Sequence, residues 1–106
     1  MTGHGFRKLA LALPEAVEAS HMGHPDFRVR GKIFATLGPD EDWGMAKLSP
    51  EEQARFIALD PDVYRPANGA WGRQGCTIIQ LAGADQATVN EDLVAAWNKL
   101  APKECL

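Results

Sequence analysis

The chain has 106 residues, of which 45% are hydrophobic and 24% are charged, and its formal net charge at pH 7 is -3. This length predicts one domain over residues 1–106, with the composition of an ordinary globular protein. No apolar run approaches the roughly 20 residues that span a membrane, so we predict no membrane segment. The N-terminus lacks the pattern of a secretory signal, and Cys76 and Cys105 form no CxxC pair, so we expect a cytoplasmic protein with reduced thiols.

The first part of the chain predicts one helix followed by short strands. Four apolar residues lie three or four positions apart, namely Phe6, Leu9, Ala10 and Leu13. This spacing predicts an amphipathic helix that ends at Pro14. Apolar and β-branched runs predict strands over residues 18–22, 27–30, 32–37 and 43–48. A tight turn at Arg30-Gly31 joins the second strand to the third, since glycine accepts a positive φ angle.

A second helix is predicted to begin at residue 50, where three residues supply the features of a helix start. Ser49 is the N-cap, Pro50 takes the first helical position, and Glu52 is placed to complete a capping box. Asp60-Pro61 ends this helix, because a residue that precedes proline is disfavoured in the helical region.

The rest of the chain predicts one more strand and one more helix. Residues 62–75 are rich in glycine and proline and are predicted to be irregular, and residues 76–81 form the last strand. Asp85 caps a final helix that Pro102 ends. The order is therefore helix, four strands, helix, strand, helix. It predicts an α+β fold with an antiparallel β-sheet and helices packed on one face.

Positive charge is concentrated in the predicted hairpin of this acidic chain. Residues 21–35 contain three cations, Arg28, Arg30 and Lys32, against one acid, and the segment that follows is strongly acidic. A basic hairpin on an otherwise acidic chain predicts a surface that binds anions. Lys47, at the end of the next strand, extends this basic surface. The alternative is an ordinary solvated sheet face, on which polar and apolar residues also alternate.

A second candidate site is the Gly-rich segment around Trp71. An aromatic ring two positions from Arg73 on such a loop is suited to stacking on a base and contacting a phosphate. The alternative is that Trp71 is buried and fills the edge of the core, which the large apolar area of tryptophan favours. The glycine spacing does not match a phosphate-binding P-loop.

The sequence contains no evident catalytic or metal-binding constellation. His21 and His24 lie in a strand and a loop rather than on one helical face, so we predict no metal site. Ser20 and His21 are adjacent on a strand and point to opposite faces, so they form no serine–histidine pair. Cys76 lies in an apolar strand, where a buried thiol is inert. We therefore predict a non-enzymatic protein without a cofactor.

Several short motifs, spread over nearly the whole chain, occur in the order typical of one family. They are residues 24–29 (HPDFRV), 31–35 (GKIFA), 47–53 (KLSPEEQ) and 71–73 (WGR), followed by a last helix with Ala96-Trp97. On these motifs the chain resembles the MmcQ/YjbR family of small bacterial proteins. It departs from the family at Met22 and Cys76, where an aromatic residue is often present.

The resemblance implies a fold like that of the bacterial frataxin homologue and a role in DNA binding, with β-hairpins as paired wings. Carried over to this chain, it makes six residues the candidate DNA contacts: Arg28, Arg30, Lys32, Lys47, Trp71 and Arg73. Iron is not expected, because the first helix carries Arg7 and Lys8 where frataxin has an acidic ridge. The alternative is a module of the same fold that binds a protein or small ligand without contacting nucleic acid. We expect a monomer in either case.

Overall fold

The computed structural model describes residues 1–100 and places six strands in one antiparallel sheet, in the order β1-β2-β3-β4-β6-β5. The strands are β1 (Ala16–His21), β2 (His24–Val29), β3 (Lys32–Leu37), β4 (Trp43–Lys47), β5 (Tyr64–Pro66) and β6 (Cys76–Gln80). The helices are α1 (Gly3–Leu11), α2 (Pro50–Leu59), α3 (Gly69–Arg73) and α4 (Gln86–Leu100). The predicted α+β fold class is therefore confirmed.

The predicted order of elements is wrong in one segment. Residues 62–75, predicted to be irregular, contain β5 and α3. β5 has three residues and pairs with β6 at the edge of the sheet, with Tyr64 opposite Ile79. Tertiary pairing rather than local propensity determines a strand this short. The predicted end of the last helix at Pro102 lies outside the described residues.

Tight turns join the first three strands. Both central residues of each turn have positive φ angles, 52° and 82° at Met22 and Gly23, and 52° and 80° at Arg30 and Gly31. Such turns suit the natural twist of a two-stranded ribbon. The predicted turn at Arg30-Gly31 is confirmed, whereas Met22, predicted to end the first strand, lies in a turn instead.

The three longer helices cover one face of the sheet and bury the core. α4 packs against β3 and β4, α1 against β4 and α4, and α2 against β5 and β6. The ring of Phe6 in α1 lies 6.0 Å from that of Phe27 in β2, between centroids. In the same way Phe56 of α2 lies 5.4 Å from Tyr64 of β5. The predicted packing of helices on one face is confirmed for these three helices.

A β-bulge in β3 decides which residues of that strand face the helices. Phe27 of β2 lies opposite Ala35, but the next residue, Arg28, lies opposite Ile33, so the register skips Phe34. Phe34 and Ala35 are both completely buried in the core. A bulge adds one residue to one strand and changes which face the following residues occupy. Ile33 therefore points to the face of the sheet opposite the helices.

A carboxyl group on α4 is buried without a partner. Asp92 is completely buried, and neither of its side-chain oxygens has a hydrogen-bond partner among the described residues. Burial is the main cause that raises the pKa of Asp92 to about 8, and the nearby Glu52 raises it further. The Tyr64 hydroxyl is also buried and has no hydrogen-bond partner among the described residues. Burial is the main cause that raises the pKa of Tyr64, and the charge of Asp92 is the next.

The raised pKa of Asp92 predicts a stability that decreases as the pH rises. In the unfolded chain this carboxyl ionises near its ordinary pKa of 3.8, whereas in the folded protein it keeps its proton up to about pH 8. The folded state binds more protons between these values, so the free energy of unfolding decreases across that window and levels off above it. Denaturant unfolding at about pH 5 and about pH 9 measures the decrease.

Asp92→Asn is the matched control, since it keeps the size of the side chain and removes its ionisation. We expect this variant to lose most of the decrease and to be more stable than the original chain at about pH 9. A decrease of the same size in both proteins would contradict a buried, protonated Asp92.

Candidate functional site

The face of the sheet turned away from the three longer helices forms an open groove of about 540 Å³. Its walls are the β1–β2 turn on one side and α3 on the other. Side chains from β3, β4 and β6 form its floor, namely Ile33, Thr36, Met45 and Ile78. Met45 lies directly opposite Thr36 and Ile78, and paired residues share one face of a sheet. We name this cavity the apolar groove.

Trp71 stands at the α3 wall of the apolar groove and is 62% exposed. The Lys47 ammonium lies 5.9 Å from the centre of its ring, within the range of a cation–π contact. The expectation that Trp71 is buried at the edge of the core is therefore wrong. The next residue, Gly72, is buried against Ala67. Glycine is required at this position, because a Cβ atom would collide with the Ala67 carbonyl oxygen. α3 therefore lies close to Ala67 and carries the Trp71 ring outward.

The start of α2 holds this Gly-rich segment in place. Ser49 and Glu52 form the predicted capping box, with hydrogen bonds of 2.9 and 3.1 Å between side chain and backbone. One residue further, the Gln53 side-chain amide donates hydrogen bonds to the carbonyl oxygens of Gly72 and Cys76, both at 3.0 Å. The helix start thereby ties α3 to the beginning of β6 and positions Trp71.

The other end of the apolar groove is formed by side chains near the β1–β2 turn. His24 lies edge-on to Trp43, with ring centres 6.1 Å apart. His21 lies directly opposite His24 in the β1–β2 pair, and both line the groove. Met22 in the turn is 85% exposed. This end of the groove therefore has an exposed apolar side chain, as the α3 wall has with Trp71.

A smaller depression of about 360 Å³ lies beside the apolar groove, at the β2–β3 turn. Its lining consists of Arg28, Gly31, Lys32, Ile33, Lys47 and Leu100. Ile33 and Lys47 line both cavities, so these two residues form the boundary between them. Since its charged side chains are all basic, we name it the cationic depression.

These two cavities contain four of the six residues predicted to contact DNA, namely Arg28, Lys32, Lys47 and Trp71. The other two lie elsewhere. Arg30 is in the β2–β3 turn, where its Nε lies 3.3 Å from the Glu15 carboxylate. Arg73 ends α3 and is exposed, and it lines neither cavity.

The most central cation of the hairpin already has an acidic partner. The Arg28 guanidinium donates two hydrogen bonds to the buried Asp26 carboxylate, at 2.8 and 3.1 Å, and this contact raises the pKa of Arg28. Two parallel bonds of this kind hold both groups firmly. Much of the Arg28 charge is therefore offset within the protein. The sequence contained the signal for this pair, because residues two apart on a strand point to the same face.

The alternation of large and small residues in the sequence of β4 could also have indicated which residues line the groove. Trp43 and Met45 line the groove, whereas the alternating residues Gly44 and Ala46 are buried on the helix side. Gly44 lies under Phe6 of α1, where a Cβ atom would come within 2.7 Å of the ring. Small residues thus face the helices and large ones face the open side, which reverses the usual arrangement of a two-faced strand.

Metal-binding and membrane-spanning features are absent from the described part of the chain. Within residues 1–100 no three His, Cys, Asp or Glu side chains are grouped so as to hold a metal ion. No helix in the same range is long and apolar enough to cross a membrane. Burial raises the pKa of the Cys76 thiol, which lies at the end of the sheet beside Lys47.

Comparison with known proteins identifies the family. The YjbR family model matches residues 11–99. No curated protein matches the chain. Among solved structures, the chain is similar to the crystal structure of Deinococcus radiodurans protein DR2400, a DUF419 domain, with a TM-score of 0.79. At 17% identity, covering 97% of this chain and 80% of that one, this likeness concerns the fold. Since the family model spans most of the sequence, the chain belongs to the YjbR family.

Proposed function

We propose that this protein is a non-catalytic binding module that holds a small ligand with an apolar body in its apolar groove. The observation that carries the proposal is the exposed Trp71, which lies beside Lys47 at a cavity of about 540 Å³. Small-ligand sites commonly measure about 300–1,000 Å³ and combine an apolar lining with a few polar groups. Ile33, Met45 and Ile78 supply such a lining here.

A ligand in the groove gains free energy by removing exposed apolar surface from water. Trp71 and Met22 are 62% and 85% exposed, and they stand on opposite walls. Full burial of one large apolar side chain contributes roughly 1.5–3 kcal/mol. A planar ligand also stacks favourably on an indole ring, which gives specificity for aromatic bodies.

The lining of the groove supports binding rather than catalysis. No carboxylate of residues 1–100 lines the cavity, and none forms an ion pair within 4.0 Å with His21 or His24, so these histidines lack the acidic partner that orients a general base. The Cys76 thiol is buried, and burial raises its pKa, which disfavours the reactive thiolate. These features together favour a protein that holds its ligand unchanged.

Trp71→Ala is expected to weaken binding of a neutral aromatic probe, N-phenyl-1-naphthylamine, by roughly tenfold, because the stacking surface is lost. The fluorescence of this probe increases in an apolar site, so a titration gives the dissociation constant. Leu59→Ala is the matched control, since Leu59 is 63% exposed on α2 and lies outside the groove. A probe that does not bind the original chain, or that loses affinity equally in both variants, would contradict the proposal.

A second candidate function is DNA binding, which is favoured by three cations without acidic partners. Lys32, Lys47 and Arg73 form no ion pair within 4.0 Å with any carboxylate of residues 1–100. Arg28 and Arg30 contribute less, because each already has an acidic partner. Among the predicted contact residues, the cations available to phosphates therefore lie beside the β2–β3 turn, at the end of β4 and on α3, rather than along the whole hairpin.

Three phosphate contacts predict that the affinity for duplex DNA falls with salt, with a slope of about -2.7 in log K against log salt concentration. Replacing Lys32 and Arg73 together by Gln should reduce the slope to about -0.9. Lys8→Gln, at an exposed lysine on α1, should leave it unchanged. Fluorescence anisotropy with a labelled duplex measures all three proteins. Undetectable binding at low salt, or a slope that the double variant keeps, would exclude this second function.

The cytoplasmic location and the monomeric state stay predictions from the sequence. Light scattering on the purified protein measures its molar mass in solution. We expect the mass of one chain, whereas the mass of two chains would show that the monomer prediction is wrong.

A further inference from the structure

We infer that the ligand is an amphiphilic anion, with its apolar body in the apolar groove and its anionic group in the cationic depression. This inference rests on the proposed function and adds the chemical class of the ligand. Its basis is that the two cavities meet at Ile33 and Lys47. A ligand too long for one cavity therefore continues directly into the other.

The cationic depression keeps a positive charge after its internal pairing is counted. Arg28, Lys32 and Lys47 line it, and Asp26 offsets the charge of Arg28. Lys32 and Lys47 remain without a carboxylate within 4.0 Å in the described chain. Gly31 leaves the rim open, because a Cβ atom there would meet nothing within 4 Å. An anion can approach both lysines from solvent.

Asp26 also orients Arg28 for contact with an anion. The two hydrogen bonds to Asp26 use Nε and Nη2 of Arg28. Nη1 makes no hydrogen bond with another described residue, and a guanidinium carries five N–H donors in a fixed plane. The Asp26 carboxylate is completely buried, so the plane of the Arg28 guanidinium is held in one orientation. Nη1 of Arg28 is thereby placed to add a hydrogen bond beside the two lysines.

Lys47 couples the two cavities. Its ammonium lies 5.9 Å from the Trp71 ring centre, while its side chain also lines the cationic depression. An ammonium has three donors, so contact with the indole face leaves donors for an oxygen of the ligand. A body stacked against Trp71 therefore places its anionic group next to Lys47, where the partly apolar surroundings strengthen the attraction.

The length of the groove sets the size of the apolar body. β4 runs along the groove floor from Trp43 to Lys47, and four strand steps of about 3.4 Å correspond to about 14 Å. A bicyclic aromatic system fits within this length, and a medium-length alkyl chain spans it. The ligand class is thus a carboxylate, sulfonate or phosphate on an apolar body no longer than about 14 Å.

Two probes with the same aromatic body test this inference. 8-Anilinonaphthalene-1-sulfonate carries a sulfonate, and N-phenyl-1-naphthylamine is the same molecule without it. We expect the anionic probe to bind the folded protein roughly tenfold more tightly at low salt. Lys32→Met, which changes the cationic depression alone, should remove much of this advantage while the affinity for the neutral probe stays within about twofold. Lys47→Met should also reduce the advantage. Lys8→Met, on α1 and away from both cavities, should keep the full advantage.

The outcomes separate this inference from the proposed function. Equal affinities of the two probes for the original chain would overturn the inference and leave the groove proposal standing. The same holds if both Lys32→Met and Lys47→Met keep the advantage of the anionic probe. Failure of the neutral probe to bind would overturn the proposed function. Circular dichroism checks the fold of each variant, and Lys32→Met decides alone if Lys47→Met does not fold, because Lys32 is exposed.

Discussion

Both faces of the sheet depend on the β-bulge at Phe34 and Ala35. The extra residue allows both side chains to be buried in the core against α4, which packs on β3. Strict alternation along β3 would place Ile33 on the helix side together with Ala35 and would turn Phe34 toward water. With the bulge, Ile33 lies on the open face, where the apolar groove and the cationic depression meet.

The residues of β4 explain why the helix face is filled and the other face is open. Gly44 and Ala46 are small and buried, so α1 can bring Phe6 close to the sheet. Trp43 and Met45 consequently project to the side that the longer helices leave uncovered. Folding alone does not explain why β4 carries its large side chains on the open face and its small ones in the core. This arrangement is the physical reason why we propose a ligand for the open face.

Local signals in the sequence predicted much of the fold but only part of the site. The capping box of Ser49 and the turn at Gly31 depend on neighbouring residues, so they were predictable. The short β5 and α3 depend on distant contacts, such as the hydrogen bond from Gln53 to Gly72, and were missed. The exposure of Trp71 follows from the placement of α3, so its environment could not be read from the sequence.

Amide NMR spectra recorded during titration with 8-anilinonaphthalene-1-sulfonate test most directly whether the open face is the ligand site. We expect the largest shift changes around Ile33 and Lys47 and at the Trp71 indole, and we expect them to include the Gly31 amide at the cationic depression. Residues of α1 and α2 on the covered face should change little. Changes centred on those helices, or spread evenly over the chain, would contradict a ligand site on the open face of the sheet.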